Sequence, residues 1–154
     1  MSELSSGNKF QPVLDDPAIS DPEGVRRVVL LSGKLYYDLV RERTKRQLDG
    51  KVAFVRVEEL SPFPFRAALD VMTRYAHTLT RTDGDVVWLQ EEPRNQGAWT
   101  HVEPRLNAVL DRLGSRRARV AFRGRKEAAV PAPGIASLYA AQQKAVIDAA
   151  FEGL

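Results

Sequence analysis

Short apolar runs, each followed by a turn and then a helical stripe, constrain this chain more than any other feature of its sequence. Val28-Val29-Leu30-Leu31 is continuous rather than alternating, the pattern of a strand covered on both faces. Ser32-Gly33-Lys34 makes the turn, and Leu35, Tyr36, Leu39 and Val40 then recur at helical spacing. Asp49-Gly50 ends that helix, and Val52-Ala-Phe-Val-Arg-Val57 forms a second run. Ser61-Pro-Phe-Pro-Phe65 is extended, because each proline disfavours helix in the residue before it. A helix follows with Ala68, Leu69, Met72 and Tyr75 inward, and Thr82-Asp83-Gly84-Asp85 turns into a third strand over 86–90. Next come a helix through Val102, Leu106, Val109, Leu110 and Leu113, and a fourth strand, Arg119-Val-Ala-Phe122. The polar alternation of that strand puts it near an edge. Pro131, Pro133 and Gly134 mark a loop before an alanine-rich helix over Ser137–Phe151. Strand and helix alternating in this way predict an α/β layer fold with a mostly parallel sheet.

Residues 1–24 behave differently. They are rich in Ser, Asn, Asp and Gly, are broken by Pro12, Pro17 and Pro22, and hold no sustained period. They are expected to be an extended lead-in or linker to an α/β domain spanning 25–154. At 154 residues with 44% hydrophobic content, one continuous core is the expectation. No apolar run approaches the ~18 residues a bilayer span needs, and no secretion signal opens the chain. A soluble intracellular protein with no membrane role is expected. The absence of cysteine excludes disulfides, thiolate metal sites and cysteine nucleophiles.

The net charge of +3 matters less than its placement. One basic group is Arg41-Glu-Arg-Thr-Lys-Arg46; the other comprises Arg116, Arg117, Arg119, Arg123, Arg125 and Lys126. Both suit phosphates or acidic partners, but equally a solvated helix face and a charged edge strand. Neither is interleaved with aromatic residues, so nucleic acid is not an expected partner.

In parallel sheets, ligands meet the carboxyl ends of strands, and two unusual turns fall there. Ser32-Gly33-Lys34 is not a Walker loop, which needs glycine where Val28 stands and Ser or Thr where Leu35 stands. A helix start with glycine can still receive an anion through backbone N–H groups, and a plain strand-to-helix turn fits as well. The second turn is Gln90-Glu-Glu-Pro-Arg-Asn-Gln-Gly-Ala-Trp99. Adjacent Glu91 and Glu92 point to opposite faces in extended chain, which argues against a shared acid/base role. One carboxylate is expected to accept from the backbone at the following helix start, and the other to pair with an arginine across an interface. With the turn former Asn95, the permissive Gly97 and the large, donor-bearing Trp99, the stretch reads as an interface. His77 and His101 carry no flanking ligand pattern, so no metal site is expected, and no Gly-x-Ser-x-Gly elbow supports a catalytic triad.

Taken together, Phe10-Gln-Pro-Val-Leu-Asp-Asp16, Arg27-Val-Val-Leu-Leu-Ser-Gly-Lys-Leu-Tyr-Tyr-Asp38 and Gln90–Trp99 resemble the C-terminal domain of the thiamine-diphosphate-dependent first component of 2-oxoglutarate dehydrogenase. Arg56-Val-Glu-Glu-Leu-Ser-Pro-Phe-Pro64, between them, resembles that family's R-[IL]-E-Q-L-x-P-[FL]-P. The resemblance runs from about residue 10 to the end. It implies a three-layer, transketolase C-terminal-like domain whose mostly parallel sheet carries one antiparallel edge strand.

It further implies a non-catalytic role in dimer assembly and at the active-site entrance. The full enzyme oxidatively decarboxylates 2-oxoglutarate and passes the succinyl group to a lipoyl group. Its partners are its own remaining domains, a second copy in a homodimer, and dihydrolipoyl succinyltransferase. Glu91, Glu92, Asn95, Gly97 and Trp99 are the interface residues that the resemblance supports. Trp99 is the expected anchor, exposed when the rest of the enzyme is absent. Thiamine diphosphate and magnesium belong to another domain through a Gly-Asp-Gly motif; this chain has the reverse order, Asp83-Gly84-Asp85, so no cofactor is expected in it. Cytoplasm is the implied compartment, or the mitochondrial matrix in a eukaryote.

Some family members bind acetyl-CoA as an activator on this domain. Ser32, with Gly33 and Lys34 after it, and the pair Arg125 and Lys126 match parts of that site in type. A stand-alone regulatory module for such a ligand, or a free-standing interaction module, are the alternative readings. The sequence departs from the family at Ala132-Pro133-Gly134 and Tyr139, where Ala-Thr-Gly and a histidine are common.

Overall fold

The computed structural model describes residues 9–82, 84–115 and 118–154. The turn residue Asp83, the basic pair Arg116 and Arg117, and the first eight residues of the lead-in lie outside them.

Among the described residues, five strands build one sheet in the order β1-β3-β2-β4-β5: β1 (Val13–Leu14), β2 (Arg27–Leu31), β3 (Val52–Val57), β4 (Asp85–Pro93) and β5 (Ala121–Arg125). β2, β3, β4 and β5 pair in parallel, and β1 alone pairs antiparallel, on the outer edge of β3. The α-helices are α1 (Leu35–Lys45), α2 (Phe65–Thr73), α3 (Ala76–Thr80), α4 (Trp99–Arg112) and α5 (Ala136–Ala149). The three layers follow from side-chain alternation along the strands. Val28, Leu30, Val86 and Trp88 pack with Ala68, Met72, Val102 and Leu106 of α2 and α4. Val29, Leu31, Val87 and Leu89 pack with Leu35 and Leu39 of α1 and Val146 of α5. All five residues of β2 are buried, as the continuous apolar run predicts for a doubly covered strand.

Chain order fixes where a ligand cleft can form. From β2 the chain crosses by α1 to β3 on one side, and from β3 it returns by α2 and α3, past β2, to β4 on the other. Crossovers of one hand in opposite directions must use opposite faces of the sheet. The carboxyl ends of β2 and β4 therefore splay where the order reverses.

Three expectations are corrected in detail. The fourth strand was expected over 119–122 and occupies 121–125, because Arg119 pairs with Asp111 at 2.8 Å and the Val120 N–H donates to Asn107 Oδ1 at 3.0 Å. Those contacts take both residues off the sheet. β4 was expected to stop near Gln90 but runs to Pro93.

The third concerns the basic helix face. Arg43 is not solvated: it is 1% exposed, reaches the equally buried Asp16, donates to Val52 O at 2.8 Å and lies 4.9 Å from the Phe54 ring centre. Arg46 likewise spans Glu42, Asp148 and the Phe151 ring. Asp16 also accepts from the Phe54 N–H at 2.9 Å, so the second half of the lead-in is built into the sheet edge.

Candidate functional site

A cleft of about 580 Å³ opens at the carboxyl ends of β2, β3 and β4. Ser32, Gly33 and Lys34 form one wall, Leu60 and Ser61 a second, and Gln90, Glu91, Glu92, Gly97 and His101 a third. Gly33 has φ of 77°, the left-handed turn that sends the chain from β2 into α1. Lys34 is exposed above the first turn of α1. His101 Nε2 is 2.7 Å from Leu60 O; a carbonyl only accepts, so that nitrogen carries the proton.

Gln90 organises the third wall. Its Oε1 accepts from the Trp88 indole N–H at 2.9 Å and from the Trp99 backbone N–H at 3.0 Å. Its Nε2 donates to Gln96 O at 2.7 Å, Pro93 O at 3.1 Å and Glu92 O at 3.3 Å. The two donors on one side and three carbonyls on the other permit only this amide orientation. One side chain thus caps the first N–H of α4 and closes the loop before it. Gly97 sits directly over that amide with φ of 64°; a β-carbon there would lie 3.0 Å from Gln90 Nε2. Gly124 plays the matching role on β5, where φ is 153° and a β-carbon would lie 2.8 Å from Gln90 O.

Helix capping was expected of a glutamate and is performed by Gln90. Residues 88, 90 and 92 share a face of β4, so Gln90 looks toward α4 whereas Glu91 looks the other way. Glu91 accepts from Gln143 Nε2 of α5 at 2.6 Å, and Glu92 is exposed. The signal for Gln90 was available in the sequence: an amide continuing a buried run, two residues after a tryptophan that needs an acceptor.

Trp99 requires a further correction. Its side chain is not an exposed anchor but is 4% exposed, inside the α2–α4 core, 5.3 Å from the Phe122 ring. Arg94 covers both rings at 5.9 and 5.6 Å. As the first residue of a helix capped from inside the sheet, Trp99 has nowhere to point but inward. Asn95 is used within the chain as well: it donates to Ala128 O and accepts from the Ala128 N–H, both at 3.1 Å.

The two basic parts of the expected anion site line different cavities. Ser32, Gly33 and Lys34 belong to the strand-end cleft, while Arg125 and Lys126 line a neighbouring, more apolar cavity of about 520 Å³. A polar chain joins them: Arg125 Nη2 donates to Gln143 Oε1 at 3.0 Å, and Gln143 donates to Glu91. Arg125 also stacks 5.0 Å over the ring of Tyr139. Lys34 shares its cleft with the carboxylates of Glu91 and Glu92.

Asp85 is held by Arg27 Nε at 2.7 Å, and no cluster of three or more His, Cys, Asp or Glu side chains able to hold a metal occurs among the described residues. No helix among them is long and apolar enough to cross a membrane.

The layer order and the single antiparallel edge strand among the described residues make a three-layer domain of the transketolase C-terminal-like fold. A solved chain of a split-gene transketolase, described as an inactive β4 tetramer, superposes with a TM-score of 0.55 over 97% of this chain and 44% of its own, at 15% identity. The family model described as 2-oxoglutarate dehydrogenase C-terminal matches residues 1–151, and the chain belongs to that family. It is 41% identical to the 2-oxoglutarate dehydrogenase E1 component of Brucella anthropi and to that of Brucella ovis, over 96% of its length. The Brucella abortus protein is 40% identical. The chain spans about 15% of the length of each of these relatives.

Proposed function

We propose that this chain acts as the non-catalytic C-terminal domain of a 2-oxoglutarate dehydrogenase first component. The observation that carries the reading is the family match along almost the whole chain, set against the small share of each relative that it covers. In the assembled enzyme the domain supports the homodimer and the active-site entrance. The whole enzyme decarboxylates 2-oxoglutarate oxidatively and hands the succinyl group to the lipoyl group of dihydrolipoyl succinyltransferase. Thiamine diphosphate, with magnesium, supplies the electron-sink chemistry of decarboxylation from another domain. The bacterial relatives favour a cytoplasmic setting.

The test is turnover. The 154-residue chain, given 2-oxoglutarate, thiamine diphosphate, magnesium and an artificial electron acceptor, should stay at blank. The complete first component should turn over, and should lose its dimer when residues 25–154 are deleted. Activity from the short chain, or an active dimer without it, overturns the reading.

A second reading is favoured by one feature: the start of α1 and Lys34 open on the cleft, and the Glu91–Gln143–Arg125 chain links that cleft to the neighbouring cavity that Arg125 and Lys126 line. We propose that an anionic ligand such as acetyl-CoA is received there, its anionic groups near Ser32, Gly33 and Lys34 and its remainder toward Arg125 and Lys126. Calorimetric titration with acetyl-CoA should give heat that falls at least roughly tenfold in affinity in Arg125→Ala/Lys126→Ala, the size of a lost charge-assisted contact. No heat, or equal affinity in both proteins, rejects the site.

A further inference from the structure

The second half of the structure leaves an apolar surface without a covering layer. Val130, Ile135, Leu138 and Tyr139 are 55%, 64%, 45% and 37% exposed, and they fall within ten residues of one another. Every residue from 134 to 141 is exposed, although Ala136–Ala141 is already regular helix. That segment reads Ala-Ser-Leu-Tyr-Ala-Ala, apolar around most of its circumference. A helix of that kind is normally buried, and two turns held chiefly by the stacking of Tyr139 on Arg125 contribute little stability by themselves. Beneath Leu138 lies the apolar cavity of about 520 Å³, floored by Val146 and edged by Val130 and Pro131. Lys126 stands exposed at its rim.

We propose that residues 128–141 and the cavity under Leu138 form the surface on which the rest of the first component docks. This rests on the domain reading above. The occupant is the remainder of that enzyme rather than a second copy of this domain, because the relatives carry more than five times as much chain outside the matched part as within it. The surface is contiguous with the loop after β4, since Asn95 and Gln96 both donate to Ala128 O at 3.1 and 2.9 Å. Docking there therefore also bears on the wall of the strand-end cleft. The partner surface should offer apolar side chains to Leu138 and Ile135.

Hydrogen–deuterium exchange tests it, comparing the 154-residue chain alone with the complete first component of the source organism, peptide by peptide. The expected result is at least roughly tenfold slower exchange in 128–141 within the complete component, with β3 unchanged. Ile135→Asp/Leu138→Asp should leave melting of the short chain within about 2 °C, as exposed substitutions do, yet return 128–141 to fast exchange in the complete component. Equal exchange of 128–141 in both proteins, with the complete component active, overturns this surface and leaves the domain reading standing. Protection that grows with concentration in the short chain alone assigns the surface to a second copy and also overturns it. If no larger component contains or binds this chain, the domain reading falls and the docking proposal with it.

Discussion

A single buried amide, that of Gln90, performs the helix capping that was expected of a glutamate. It is 5% exposed and bonded on both its oxygen and its nitrogen, so it cannot change chemistry without stranding partners. Replacing it with glutamate would set a carboxylate oxygen against the carbonyls of Gln96, Pro93 and Glu92. The expected cost is about 3 kcal/mol, the upper end for a buried group left unsatisfied. Trp99→Ala should cost about 3–5 kcal/mol, as buried aromatic truncations do. Urea denaturation of the short chain checks both; a loss below about 1 kcal/mol in Trp99→Ala would return the indole to the surface.

At the scale of elements, β1 and the residues after it look too short to matter. β1 has only two residues, yet the segment brings Asp16 to Arg43 of α1 and to the Phe54 N–H of β3. Tyr75, between α2 and α3, donates to Asp15, and burial pushes its phenol up to about 12. One carboxylate pair thus fastens the chain's beginning to both faces of the sheet. Asp16→Ala would leave the Arg43 guanidinium buried with fewer partners, at an expected cost of about 3–5 kcal/mol. Asp16→Ala combined with Arg43→Met should recover part of that loss, because the apolar replacement fits the space beside Phe54 while the Phe54 N–H stays without its acceptor. If the double variant is no more stable than Asp16→Ala, the ion pair is not the clasp and β1 pairing is.

For the whole molecule, the period of the apolar residues determined the layer fold. Four parallel strands, their helices and the doubly buried centre follow from runs such as Val28–Leu31 and Val52–Val57, whose local pattern and burial agree. The strand-end position of the two unusual turns was legible for the same reason, since a parallel sheet places every strand-to-helix turn at one end. What each side chain meets there was not legible. Whether Trp99 faces a partner or the core depends on Gln90, nine residues earlier, capping α4 from within the sheet. Whether Arg43 is solvated depends on Asp16, twenty-seven residues away. Such pairings join segments with no shared period, so only packing of the finished layers selects them. The sequence by itself determined the four parallel strands and the main helices between them; the tertiary structure decided that the lead-in adds an edge strand, which polar groups are buried and which apolar helix is left uncovered, because burial is a property of neighbours and not of the residue.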